Sequence, residues 1–342
     1  MIKAWPSMKA MRVVMSQKAS GPKVSVCICS YNHSRYLSAT LDSVLSQSHA
    51  VHEVIIVDDG SADNSLDIAR RYSSVNPVVK VYTHSDHANK GVSATANLAF
   101  RRATGDYICW LGSDDLWNEG KVERQVRVME RDSALGLIYS RAAIIDENSV
   151  EVGQVIGESI VPGVDQTAFL IGRNVIPALT VMFRRACFGG AGLLDEGVLY
   201  SDWELWVRIS ACWKVAFMED VLAKYRIHGT NVSVGVGADV DLLRRLDTLH
   251  SLKRERADRS SMLLTSKYGS EIDQAIEATW EKIFAAYLDR YYLMCRRGSL
   301  FRALGYLFKA MKLRPMKLVR ARRMASLLKY AVVGITKRQQ AC

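Results

Sequence analysis

The chain has 342 residues, 49% apolar and 24% charged, enough to bury a core without staples and suited to a globular enzyme of about two domains. Its seven cysteines form no CxxC pair, which speaks against a disulfide framework or a zinc knuckle and for a reducing compartment. The net charge of +11 is unevenly placed: Arg290 to Cys342 holds 14 Lys and Arg and no Asp or Glu, while the other 289 residues hold 32 basic and 35 acidic groups.

Residues 1–22 contain Lys3, Lys9, Arg12 and Lys18 and no uninterrupted apolar stretch, so they read as a flexible extension and not a signal peptide. No apolar run approaches the ~20 residues of a membrane span. The first strand is expected at Lys23 to Ser30, where β-branched residues alternate with small ones. It ends in Tyr31-Asn32-His33, and Ser34 is placed to cap a helix from about Arg35 to Gln47. Glu53 to Val57 is the second strand and stops at Asp58-Asp59-Gly60-Ser61. A helix from about Asn64 to Tyr72, a strand at Val78 to Tyr82 and a helix opened by Gly91 follow. The fourth strand, Tyr107 to Leu111, ends in Gly112-Ser113-Asp114-Asp115.

Strands alternating with helices of this length argue for βαβ units and a parallel sheet. Ligands of such sheets bind outside the carboxyl ends of the strands. Three polar clusters, Tyr31-Asn32, Asp58-Asp59 and Ser113-Asp114-Asp115, therefore converge on one edge. Farther on, Glu119 to Arg131 reads as a helix. Leu135 to Tyr139 and Ala178 to Phe183 read as strands, with a hairpin region to about Ile160. A helix opens at Ser201 or Asp202, Val215 to Met218 and Val221 to Ile227 read as two strands, and His228-Gly229-Thr230-Asn231 is a turn. From about Ala238 the pattern is helical.

Paired carboxylates at the end of an apolar strand are paired with, or bound to, something. Asp114-Asp115 fits a hard divalent cation, which takes few protein carboxylates when substrate phosphates supply the rest; the plainer alternative is a turn with a helix cap. Asp58-Asp59 caps a turn or holds a base or ribose. Tyr31 packs or stacks on a nucleobase. Asn89-Lys90-Gly91 at a helix start suits a diphosphate. Asp202 caps its own helix or acts as a general base, and His228 is structural or a metal ligand. No GxxxxGK[ST] or GxGxxG pattern sits at a strand-to-helix turn, which removes support for ATPase and dinucleotide-oxidoreductase readings.

Taken together, VSVCICSYN, VIIVDDGSADNS, NKGVSATANLAF, GDYICWLGSDDLW, YSDWELWVRIS and YRIHGTNVS resemble the family 2 glycosyltransferases with the GT-A fold. They occur in the family's order over about 60% of the chain, Val24 to Ser233. The resemblance implies a metal-dependent, inverting transfer of a sugar from a nucleotide-diphosphate sugar, with a UDP-sugar the expected donor. The hydroxyl that receives it belongs to a glycan or lipid-linked acceptor in cell-surface polysaccharide synthesis. By the same resemblance Ser30, Tyr31, Asn32 and Asp59 hold the nucleotide, Lys90 lies near the diphosphate, and Ser113 and Asp114 contact the donor, Asp114 at the ribose. Asp115 and His228 are the expected ligands of Mg²⁺ or Mn²⁺, and Asp202 is the expected base. The other classes to set against this are a non-catalytic nucleotide-sugar or glycan-binding relative and a membrane-surface adaptor.

The expected division is a GT-A domain over 23–237 and a helical, basic region over 238–342. In that region Leu300, Leu304, Leu307 and Met311 share a helical face and basic residues lie elsewhere. Such a segment either rests on an anionic membrane surface or packs on the catalytic domain with its basic side solvated. It contains no nucleic-acid-binding module. The expected location is cytoplasmic, with peripheral contact to the cytoplasmic face of the membrane through 290–342.

Overall fold

β1 (Val24–Ser30), β2 (Glu53–Asp58), β3 (Val79–Thr83) and β4 (Tyr107–Gly112) lie parallel in the order β3-β2-β1-β4. The computed structural model describes residues 21–231, 237–254, 258–297 and 299–313. Between the strands run α1 (Leu37–Leu45), α2 (Ser65–Val75) and α3 (Val92–Arg102). Side chains alternate across a strand. Val26, Ile28, Val54, Ile56, Cys109 and Leu111 therefore meet α1 and α2 on one face, while Cys27, Ile55, Val57, Ile108 and Trp110 meet α3 on the other.

Beyond β4 the sheet becomes mixed. β5 (Leu116–Trp117), α4 (Lys121–Met129), β6 (Leu135–Ile145) and β7 (Glu151–Ile156) follow in the chain. Next come α5 (Gln166–Gly172), β8 (Met182–Arg184), α6 (Phe188–Ala191), α7 (Ser201–Cys212) and β9 (Lys214–Arg226). The order continues β4-β8-β6-β9-β5, with β7 on β6; β8 is antiparallel to β4 and β6, and β9 is parallel to β6.

Several boundaries differ from expectation. The expected strands Val215–Met218 and Val221–Ile227 are one strand, β9, because Glu219 and Asp220 form a bulge between the Ser140–Met218 and Arg141–Val221 pairs. Ala178 to Phe183 begins as a short 3-10 turn, Ala178–Thr180, and only its end joins β8. Ser34 does not cap α1, which starts at Leu37; its N–H bonds Asp63 instead. α5 was not anticipated, although Asp165 caps it by accepting from the N–H groups of Thr167 and Ala168.

α8 (Ala238–Leu252), α9 (Arg259–Arg296) and α10 (Leu300–Leu313) complete the described chain. Leu249 and Leu252 of α8 and Leu264, Tyr268 and Ile272 of α9 share one buried cluster with Trp203, Leu205 and Trp206 of α7. No described helix is long and apolar enough to cross a membrane. Residues 1–20, expected as a flexible extension, and the basic stretch Met316 to Val333 lie outside the described residues.

Candidate active site

The polar clusters meet where the parallel strands end. At the end of β1, Tyr31 presents a ring that is 45% exposed. Ser30 beneath it is buried, and its Oγ has no hydrogen-bond partner. Asn32 turns the chain with φ 53°, a left-handed conformation that Asn tolerates. Its N–H donates to Ser61 Oγ at 2.9 Å and its Oδ1 accepts from the Ala62 N–H at 2.8 Å, which ties the β1 loop to the β2 loop.

At the end of β2 the two carboxylates divide. Asp58 closes its own turn on the N–H and hydroxyl of Ser61. Asp59 reaches across to α3 and accepts the N–H groups of Lys90 at 2.7 Å and Gly91 at 3.0 Å. Gly60 is required here: it has φ 76°, and a Cβ would lie 2.4 Å from the carbonyl oxygen of His87. The Lys90 ammonium, expected near a diphosphate, is held by Asp86 at 2.7 Å on the exposed loop.

At the end of β4, the missing side chain of Gly112 leaves room for the Asp114 carboxylate, since a Cβ there would lie 2.6 Å from Asp114 Oδ1. Asp114 then stands between two imidazoles, with His228 Nε2 at 3.0 Å and His33 Nδ1 at 3.8 Å. Ser113 is fully buried and its hydroxyl bonds His33 Nδ1 at 2.8 Å. Asp115 faces inward: its Oδ1 accepts the Arg226 N–H at 2.9 Å, and its backbone carbonyl accepts from Thr40 Oγ1. Burial first, and then the Asp114 charge, pushes the Asp115 carboxyl well above the usual carboxylate range. Burial, with help from His228, lowers the His33 imidazole, against the pull of Asp114.

Atoms of His33, Asp114 and His228 lie within 4.8 Å of one another and form the one cluster of three His, Cys, Asp or Glu side chains among the described residues that could hold a metal ion. Asp115, expected as a metal ligand, is not part of it, whereas Asp114, expected at the ribose, is. Two imidazoles and a carboxylate suit a first-row transition ion better than Mg²⁺, which takes oxygen ligands. Neighbouring polar groups meet both imidazoles: Ser113 Oγ lies 2.8 Å from His33 Nδ1, and Asn231 Nδ2 lies 3.3 Å from His228 Nε2.

Asp202 stands in the first turn of α7. The hydroxyls of Ser93 and Ser201 lie 2.7 Å apart and join that turn to the first turn of α3. Burial raises the Asp202 carboxyl to about 6, against the backbone N–H groups of the helix terminus, which favour the anion. Trp203 is core, with its Nε1–H donating to the Leu170 carbonyl, and so is Trp206.

The sequence pattern did not single out His33, Gly112, Asn231 or Arg226. Asn231 supports His228 by accepting its N–H through Oδ1 at 2.6 Å. The available signal was position: His33 follows Tyr31-Asn32 at the ligand edge, and Arg226 ends the strand before His228.

The profile of Glycosyl transferase family 2 matches residues 25–186. A Nostoc glycosyltransferase, alr2836, is 30% identical over 221 residues, covering 61% of this chain and 66% of that protein, so the chain spans just under two thirds of that relative. The putative teichuronic acid biosynthesis glycosyltransferase TuaG of Bacillus subtilis is 30% identical over 214 residues, covering 62% of this chain and 82% of its own length. Among solved structures, S. aureus TarS 1-349 in complex with UDP-GlcNAc superimposes with a TM-score of 0.58 at 17% identity, covering 93% of this chain and 92% of its own. The mannosyltransferase PcManGT from Pyrobaculum calidifontis, in complex with GDP-Man and Mn²⁺, gives 0.52 at 16% identity over 93% and 87%. These likenesses show the fold, an α/β sheet of the GT-A type with a helical C-terminal region, and with the family match they place the chain: it belongs to glycosyl transferase family 2.

Proposed function

We propose that the protein transfers a sugar, with inversion, from a nucleotide-diphosphate sugar to a hydroxyl of a glycan or lipid-linked acceptor in cell-surface polysaccharide synthesis. The observation that carries this is that Asp59, at the end of β2, holds the chain entering α3, which the Ser93–Ser201 pair joins to the turn of Asp202, while Asp114 lies beyond the end of β4 in the same parallel half of the sheet. A UDP-sugar is the expected donor, supported by the UDP-GlcNAc complex of the similarly folded TarS. The polysaccharide setting is supported by the name of TuaG.

In this reading Tyr31 stacks on the base and Asp59, with Ser30 and Asn32 around it, fixes the nucleoside. Lys90 serves the diphosphate on release from Asp86. Asp114 and His228, with His33, hold a divalent cation, and Asp115 keeps the turn in place. This exchanges the roles first expected for Asp114 and Asp115. A bound cation would neutralise charge on the departing diphosphate. Asp202, with its carboxyl near 6, is largely ionised at neutral pH and takes the acceptor proton as the hydroxyl attacks the face of the sugar opposite the diphosphate. Contact with an anionic membrane surface through residues 290–342 would bring a lipid-linked acceptor within reach.

A donor screen by mass spectrometry, with and without Mn²⁺, tests the proposal. Metal-stimulated transfer or hydrolysis of one UDP-sugar is the expected result. Binding of UDP without turnover of any donor would favour the non-catalytic relative.

A further inference from the structure

Arg226 is 1% exposed and closes β9, yet no carboxylate lies within ion-pair distance of its guanidinium among the described ion pairs. Its contacts are of another kind. The Nε–H donates to the backbone carbonyl of Asp114 at 2.7 Å, and NH1 donates to the Asp146 carbonyl at 3.1 Å and to Ser149 Oγ at 2.8 Å. Its backbone N–H holds the Asp115 carboxylate. The guanidinium carbon, Cζ, lies over the ring of Tyr36, 4.7 Å from its centroid. That ring in turn backs His228, with centroids 5.0 Å apart, and His33, at 6.1 Å.

One buried cation thus touches the peptide of Asp114 from behind, the neighbouring Asp115 through its main chain, and the aromatic ring on which both imidazoles rest. A planar fork with several donors can satisfy two carbonyls and a hydroxyl at once, and it stacks on a ring; an ammonium cannot do both.

We infer that Arg226 is a positioning residue for the metal group, holding Asp114, His33 and His228 in one chelating arrangement before the donor arrives. The inference rests on the metal reading of Asp114 given above. Groups behind metal ligands commonly change affinity by about 10–100-fold when altered.

The test compares Mn²⁺ affinity, read from the electron paramagnetic resonance signal of free Mn²⁺ in the presence of UDP, for the full chain and for Arg226→Lys, Tyr36→Leu and Asp114→Asn. The melting temperature without metal is followed alongside. Arg226→Lys is expected to keep the fold and lose about 10–100-fold in Mn²⁺ affinity. Tyr36→Leu, which leaves every guanidinium hydrogen bond in place, is expected to lose severalfold and serves if Arg226→Lys does not fold. Unchanged Mn²⁺ affinity in a folded Arg226→Lys, or in Tyr36→Leu if it alone folds, overturns the inference, provided Asp114→Asn has lost binding. Undiminished binding in Asp114→Asn overturns the metal reading itself and the inference with it.

Discussion

Ser93 Oγ and Ser201 Oγ stand 2.7 Å apart, both buried, and form the direct polar link between the first turns of α3 and α7. Asp59 holds the chain entering α3, and Asp202 is the next residue after Ser201. In the proposed reading, this hydroxyl pair registers the base to the donor side. Ser201→Ala is expected to lower kcat by about tenfold, within the ~100-fold that a 1 Å misplacement can cost, while leaving UDP affinity unchanged. Single-turnover transfer and UDP titration measure the two separately. An unchanged kcat would show that the helix holds Asp202 without this bond.

As the proposed base, Asp202 is expected to set the acid limb of the pH profile. Its carboxyl is raised to about 6, and only the ionised form accepts a proton, so kcat/KM is expected to rise with pH through about 6 and then level off. Asp202→Asn is expected to lose about 10²–10⁴-fold in transfer at every pH and to bind UDP as before. A wild-type profile flat between pH 5 and 7 would remove Asp202 from the role of base.

The strands of the parallel half were legible because each is a short, β-branched run closed by a polar turn, as Glu53 to Asp58 is by Gly60-Ser61. The convergence of Asp59 and Asp114 followed from that topology. The different surroundings of Asp114 and Asp115 did not, because they depend on a turn. Gly112 leaves room for the Asp114 carboxylate beside the imidazoles, and Arg226, 111 residues beyond Asp115, supplies the N–H that Asp115 accepts. His33 joins the group through a side-chain contact 80 residues away in sequence, which no local pattern encodes. Glu219-Asp220 has the composition of a turn and is a bulge because β6 pairs on both sides of it.

Asp114→Asn and Asp115→Asn should separate these neighbours. Asp115 is held toward its neutral form by burial and by Asp114, and an Asn carbonyl can still accept the Arg226 N–H. Asp115→Asn is therefore expected to keep Mn²⁺ affinity close to that of the parent, whereas Asp114→Asn loses at least about tenfold. Titration calorimetry with Mn²⁺ and UDP measures both. The reverse ranking would restore Asp115 as the metal ligand.

Away from the site, Glu53 is expected to contribute to acid sensitivity. Burial alone would raise its carboxyl. Bonds from Lys80 Nζ at 2.6 Å, from the Thr104 N–H and hydroxyl at 2.7 and 2.8 Å, and from Ser25 Oγ at 2.7 Å outweigh it and hold the group at about 2. A folded pKa below the unfolded value of about 4.3 means stability present above that value and lost as pH falls toward 2. Glu53→Gln is expected to cost about 1–3 kcal/mol at pH 7 and to lessen the loss of stability between about pH 4 and 2. Urea melts at pH 7 and at pH 3 check both, and equal acid sensitivity in the variant would remove Glu53 from the account.

α10 presents apolar side chains in two directions. Leu307 is buried against α9 with Tyr306 beside it, while Leu304 is 47% and Phe308 68% exposed one turn apart. Arg302 and Lys309 are exposed on the same helix, and no acidic residue occurs from Arg290 to the end of the sequence. Exposed apolar groups beside cations suit an anionic lipid surface, where the cations meet phosphates and the apolar groups enter the acyl boundary. Binding to vesicles containing phosphatidylglycerol is expected in sedimentation, with little binding to neutral vesicles and weakening above physiological salt. Replacing both Leu304 and Phe308 by Glu should abolish it without lowering the melting temperature, because neither side chain lies in the described core. Equal sedimentation of that variant would show that this helix face does not dock on lipid, and competition by nucleic acid would assign the basic charge to a different partner.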